Sequence, residues 1–144
     1  LMPCNLYGSY DNYHPNNSHV IPGLLRKFHH ASGEMIECWG DGTPLREFLY
    51  VDDFAEACLV AMLNYEKAEI INVGSGSEIT IKDLANLIAE ITGFKGKIYW
   101  DKTSPNGTPK RLLDSSKIKS LGWEPKYKLK EGLQLEYEWY KDNY

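Results

Sequence analysis

Pro3-Cys4-Asn5-Leu6-Tyr7-Gly8, then Asp11-Asn12, then His14-Pro15-Asn16-Asn17-Ser18-His19-Val20-Ile21-Pro22, is the stretch on which the reading of this chain turns. Leu1 to Leu6 reads as the end of a buried strand, and Tyr7-Gly8 as the turn that stops it. Asn12 to Ser18 combines asparagines, a serine and a proline, which is loop chemistry of Asx turns and preset φ. Ser18 or Asn17 is suited to cap a following helix, because Ile21, Leu24, Leu25 and Phe28 recur at helical spacing. A polar loop thus leaves a strand end and enters a helix start. In open α/β sheets, ligands bind in that crevice beyond the carboxyl ends of the strands. The fold class that follows is α/β, with this loop as one wall of a site and His19 at its far lip.

The composition narrows the function classes. At 144 residues, with 42% hydrophobic and 25% charged residues, the chain is one soluble globular domain's worth of sequence. A net charge of −4 gives no electrostatic footprint for nucleic acid or an anionic membrane. No apolar run approaches the roughly 18 residues that span a bilayer. The three cysteines, Cys4, Cys38 and Cys58, are far apart and odd in number. They read as reduced thiols of a cytoplasmic protein, and neither they nor the histidines have metal-ligand spacing. Gly74-Ser75-Gly76 has Ile79 where a dinucleotide-binding turn needs its third glycine. Residues 1–144 therefore read as the later part of a longer protein, whose nucleotide-binding half lies outside them.

Further along, Val20 to His30 is expected as a helix stopped by Gly33, with Arg26, Lys27, His29 and His30 on its outer face. Lys27 lies two turns beyond His19, and reads either as a solvated lysine or as an ammonium reaching a phosphate. Met35 to Trp39 and Arg46 to Val51 are expected as the arms of a hairpin turning at Gly40-Asp41-Gly42-Thr43-Pro44. That hairpin brings Trp39 and Arg46 to one end, suited to an aromatic base and a phosphate, or else to a core tryptophan and a surface arginine. Asp52-Asp53 is expected to cap the next helix. Glu69 to Val73 reads as a strand that ends in a tight Gly-Ser-Gly turn. Thr80-Ile81-Lys82-Asp83 resembles a capping box whose helix ends at Gly93. Lys97 to Trp100 is a short strand. Residues 101–111 form a second long loop, where Asn106, Lys110 and Arg111 are placed either to clamp a diphosphate or simply to face water. Leu129, Leu133 and Tyr137 mark the last helix.

Four motifs together resemble the extended short-chain dehydrogenase/reductase superfamily. They are Pro3-x-Asn5-Leu6-Tyr7-Gly8, Arg46-x-Phe48-x-x-Val51-x-Asp53, Ile71-Asn72-Val73-Gly74 and Leu113-Asp114 with Leu121-Gly122-Trp123. Within that superfamily, the stretch from Asn5 to Pro22 and the segment from Trp39 to Leu49 are similar to the enzymes that form GDP-L-fucose. The resemblance implies that residues 1–144 are the C-terminal substrate-binding portion of such an enzyme. It would combine the end of a Rossmann sheet with a small mixed α/β domain. The activity it implies is conversion of GDP-4-dehydro-6-deoxy-D-mannose to GDP-L-fucose with NADPH, by 3,5-epimerisation and reduction of the 4-ketone.

The same resemblance assigns roles. His19 is the acid of epimerisation and touches both cofactor and sugar; Pro3, Cys4, Asn5 and Leu6 line the nicotinamide side of NADP. Lys27 and Arg46 hold the GDP portion, Trp39 contacts guanine or ribose, and Asn106, where some members carry Asp, offers an amide to a ribose hydroxyl or guanine edge. The catalytic cysteine, the Ser/Tyr/Lys set and the glycine-rich NADP turn are expected outside this chain, and the family implies a homodimer. Another nucleotide-sugar epimerase or dehydratase of the superfamily, which would not need His19, and a non-catalytic sugar-nucleotide-binding module are the competing readings.

Overall fold

A computed structural model describes residues 1–33 and 35–144. The strands among them are β1 (Met2–Pro3), β2 (Asn5–Tyr7), β3 (Met35–Trp39), β4 (Leu45–Tyr50), β5 (Asn72–Val73), β6 (Glu78–Thr80) and β7 (Lys97–Asp101). The helices are α1 (Val20–His29), α2 (Val51–Asn64), α3 (Ile81–Thr92), α4 (Ser116–Ser120) and α5 (Leu129–Asn143).

The opening strand divides at Cys4. Before it, β1 runs parallel to β5, with Met2 N–H donating to the Ile71 carbonyl at 2.8 Å. After it, β2 runs parallel to β4, which pairs antiparallel with β6 on its other side. Parallel neighbours need long crossovers, and helices supply them here. Two cores result. Leu49, Ala57, Ile71, Val73, Ile118 and Trp123 form a small one beneath β1 and β5. A larger one joins α1, α3 and α5 through Leu25, Phe28, Leu84, Ile88, Leu133 and Tyr140. The first lies under a parallel strand pair and the second is a mixed α/β unit, so the chain is α/β as the sequence indicates.

The expected hairpin does not form. β3 pairs in parallel with β7, from Met35 opposite Lys97 to Trp39 opposite Asp101, and Gly40 N–H extends the ladder to the Asp101 carbonyl. Gly40 and Gly42 both take left-handed backbone, φ 77° and 75°, which turns the loop toward α3. There the carbonyls of Gly42 and Pro44 accept from the N–H groups of Lys82 and Ile81, at 2.9 and 3.0 Å. The glycine-rich segment caps a helix that starts about 40 residues later, a use that local turn chemistry does not disclose.

Two further expectations are corrected. Asp53 does not cap its own helix: its carboxylate accepts from the Lys126 and Tyr127 N–H groups at 2.9 and 3.1 Å, and it is almost wholly buried. It staples the segment before α5 onto α2. Neither Asn17 nor Ser18 caps α1. His19 is the N-cap residue, with no side-chain bond to the helix, while the Asn17 carbonyl accepts from Asn12 Nδ2 and Ser18 packs where Gly23 has no side chain. The imidazole is left free by that arrangement. By contrast, Thr80 caps α3 as expected, accepting from Asp83 N–H at 3.0 Å, and Gly93 ends it in left-handed backbone.

Helix α5 lies close over β2 and β4 because Gly132 has no side chain. A methyl group there would collide with the Tyr7 hydroxyl and come within 3.0 Å of the Tyr50 ring. Gly132→Ala is therefore expected to destabilise the protein by about 1–3 kcal/mol through overpacking. This outweighs a helix-propensity gain of at most about 1 kcal/mol. Equilibrium denaturation measures it, and an unchanged or raised stability would mean that α5 is free to move outward.

Candidate active site

The end of β2, the loop that follows and the start of α1 enclose an open cavity of about 570 Å³. Every residue expected beside the cofactor lines it: Pro3, Cys4, Asn5, Leu6 and His19. The backbone gets there because Gly8, at φ 143°, passes Val51 so closely that a Cβ would sit 2.7 Å from its Cγ1. Asn5 is oriented from behind, its Nδ2 donating to the Glu47 carbonyl at 2.8 Å. His19 stands exposed at the rim, with the first residues of α1 on the same wall. No acidic residue occupies that first turn, so a negatively charged ligand meets a favourable helix terminus.

Cys4 and Cys38 are unsuited to nucleophilic or proton-transfer work at neutral pH. Burial, helped by the charge of Glu47, pushes the Cys4 thiol up to about 12, and burial also raises Cys38.

The residues expected at the nucleotide end form a separate group around the tip of β3. Trp39 is 72% exposed, which removes the core alternative for it. Lys27 Nζ donates to the Glu37 carbonyl at 2.8 Å, so its ammonium lies along the same strand and not in the His19 cavity. Arg46 Nη1 donates to the Leu45 and Thr108 carbonyls, both at 2.7 Å. Part of that guanidinium fixes the loop of residues 102–110, and the rest stays available to an anion. Asn106 Oδ1 accepts from the Asp41 N–H at 2.8 Å, and its amide also supports the Asp41 carboxylate. Asn106 therefore ties this loop to the Gly40 turn. Lys110 is paired with Glu78 at 2.9 Å rather than free.

Tyr10 was not legible as a site residue. It lines the cavity, is 86% exposed, and takes φ 67°, a conformation that costs a tyrosine energy. Its ring rests on Trp139 of α5, centroids 4.9 Å apart. Tyrosine carries no local signal for left-handed backbone, and its support comes from the far end of the chain.

Comparison with known proteins agrees with this geometry. The sequence profile of the NAD dependent epimerase/dehydratase family matches residues 1–74. Putative GDP-L-fucose synthase 2 of Arabidopsis thaliana is 57% identical over 145 residues, covering 99% of this chain and 44% of that protein. GDP-L-fucose synthase of Escherichia coli (strain K12) is 45% identical over 155 residues, covering 99% and 48%. Among solved structures, a GDP-L-fucose synthetase from Naegleria fowleri bound to NADP superposes with a TM-score of 0.94 at 29% identity, over 100% of this chain and 46% of that one. The chain thus spans a little under half the length of the curated relatives it matches. With half its length matched by the family profile and its fold shared with the solved structure, this chain belongs to the NAD dependent epimerase/dehydratase family, within the extended short-chain dehydrogenase/reductases.

Proposed function

We propose that residues 1–144 are the C-terminal substrate-binding portion of an NADP-dependent enzyme that converts GDP-4-dehydro-6-deoxy-D-mannose to GDP-L-fucose. The observation that carries this reading is His19, free of any capping bond and exposed at the rim of the cavity lined by Pro3 to Leu6. Similarity to the Arabidopsis and E. coli proteins, over nearly the whole chain, supports it.

The chemistry accounts for the residue types. Protons at C3 and C5 flank the ketone carbon, so their removal gives an enolate, and return of a proton to the other face inverts the centre. Such a sequence needs one group that takes a proton and another that delivers one. An imidazole is suited to delivery near neutral pH, and His19 is free to do so because it makes no capping bond. The base, a cysteine in the family, and the Ser/Tyr/Lys set belong to parts of the enzyme outside residues 1–144.

The cavity suits the nicotinamide end of NADP. Pro3, Leu6 and Phe48 give it apolar walls, and Asn5 and the α1 terminus give it polar ones. Bound there, NADPH would supply the hydride that reduces the C4 ketone. What this chain contributes is the wall that orients the ring and the histidine that meets the sugar.

Trp39, Lys27 and the uncommitted edge of Arg46 are the proposed grip on guanine and diphosphate, a handle far from the reacting carbons that fixes the sugar's position. Asn106 shapes that grip by holding the loop. Arg46→Ala in the full-length protein is expected to weaken GDP binding by about 1.5–3 kcal/mol, the size of a charge-assisted contact. Calorimetric titration with GDP measures this; an unchanged affinity would remove Arg46 from the grip. The reading carries with it a soluble cytoplasmic homodimer acting on a free nucleotide sugar. No helix among the described residues is long and apolar enough to cross a membrane.

A further inference from the structure

The loop that carries His19 buries one side chain in the protein interior. Of residues 9–18 only Tyr13 is buried, and residues 14–17 all face solvent. The Tyr13 ring is held among the rings of Tyr140 and Tyr144, at 4.7 and 5.2 Å, and that of Trp139. Its hydroxyl donates to Glu136 Oε1 at 2.9 Å. Glu136 lies on α5, is completely buried, and its other oxygen has no hydrogen-bond partner among the described residues. A carboxylate so placed would leave one charged oxygen bare in the core, whereas a neutral carboxyl is tolerated there.

We propose that Tyr13 and Glu136 are positioning residues, whose hydrogen bond fixes the loop of residues 9–18 and through it aims His19 into the cavity. The proposal deepens the functional reading above and rests on it only for the role of His19. The groups that face Glu136 are Tyr13 and Asp11 from the loop, Tyr7 from β2 and Tyr50 from β4. None is a cation, so among the described residues nothing there offsets a negative charge. Burial, reinforced by Asp11, pushes the Glu136 carboxyl up to about 8, although the Tyr13 hydrogen bond works the other way.

The sign follows by linkage. With the loop anchored, Glu136 keeps a proton that it gives up at lower pH once the loop is released, the ordinary carboxyl value of about 4.5 being the lower bound. Anchoring is therefore fully present below that pH. It weakens as pH rises toward about 8, by at most roughly tenfold per pH unit because Tyr7 and Tyr50 still cover Glu136 when the loop is released, and then levels off.

Hydrogen exchange of residues 9–18 in the full-length protein, corrected for the intrinsic rate, tests this between pH 5 and pH 8. In the parent protein, protection is expected to fall as pH rises, by up to roughly tenfold per unit. Glu136→Gln keeps an acceptor for Tyr13 but cannot ionise, so its protection is expected to stay high and flat. Tyr13→Phe keeps the packed ring but loses the bond, so protection is expected to be low throughout. In turnover, Tyr13→Phe is expected to lower kcat while leaving KM, because the nucleotide grip lies at the other end of the site. A flat parental profile, or a slope that persists in Glu136→Gln, overturns the anchor whether or not the enzyme turns over. A pH-dependent loop in a protein without turnover supports the anchor while contradicting the function proposed above.

Discussion

His19→Gln in the full-length protein is expected to slow entry of solvent deuterium at C3 and C5 of the sugar by about 10²–10⁴-fold, the range of a lost general acid. Glutamine keeps the length and polarity of the side chain but has no proton to deliver near neutral pH. GDP affinity is expected to stay within several-fold of the parent, because Trp39, Lys27 and Arg46 are grouped at the tip of β3 and not in the His19 cavity. The fold is also expected to survive, since the imidazole makes no hydrogen bond to α1 and is exposed. Mass spectrometry of product formed in D₂O reads the effect directly. Deuterium entering at the parental rate would remove His19 from the chemistry and leave a binding rim in its place.

Glu47→Ala is expected to be the most destabilising single change in the chain, at about 3–5 kcal/mol. The carboxylate is completely buried; one oxygen accepts from Gly76 N–H at 2.7 Å and the other from Leu113 N–H at 3.0 Å. Each such bond to a charged acceptor contributes about 1.5–3 kcal/mol, and its removal strands a backbone donor. Gly74 has no side chain because Glu47 fills the space where one would go. One residue therefore holds the Gly-Ser-Gly turn and the end of the 102–113 loop to β4. Its own carbonyl meanwhile orients Asn5 in the cavity. Loss of that hub is expected to weaken the GDP grip as well, because the loop that Arg46 holds at Thr108 is released at its other end. Glu47→Gln keeps one acceptor and should lose less. Denaturant unfolding of the parent and both variants measures the series, and equal stability for all three would refute the hub.

What was legible in the sequence was whatever local chemistry decides. The Thr80 cap, the Gly93 stop and the apolar stripe of α1 follow from spacing and capping rules, and the structure reproduces them; α5 buries Leu133 as expected, but turns Gly132, Glu136 and Tyr140 inward and leaves Leu129 and Tyr137 half-buried. The cavity was legible because a strand end, a polar loop and a helix start follow one another directly. Most of the misses share one cause, a partner far away in sequence; the cap expected from Asn17 or Ser18 is the exception, displaced by neighbours five residues away. Gly40 to Pro44 looks like a hairpin turn, but its carbonyls serve α3. Asp53 stands where a cap belongs, but its acceptors are taken by residues 126 and 127. Tyr10 and Tyr13 read as loop residues until α5 packs against them. Arg46 and Asn106 lie in one region, where each holds the protein's own backbone, a role that spacing does not disclose.

The full-length protein supplied with GDP-4-dehydro-6-deoxy-D-mannose and NADPH in D₂O puts the whole account to one trial. The expected product is GDP-L-fucose carrying deuterium at C3 and C5, with one NADPH oxidised per sugar. Oxidation of NADPH with C3 and C5 still protiated would instead describe a reductase that has no use for the histidine at the cavity rim.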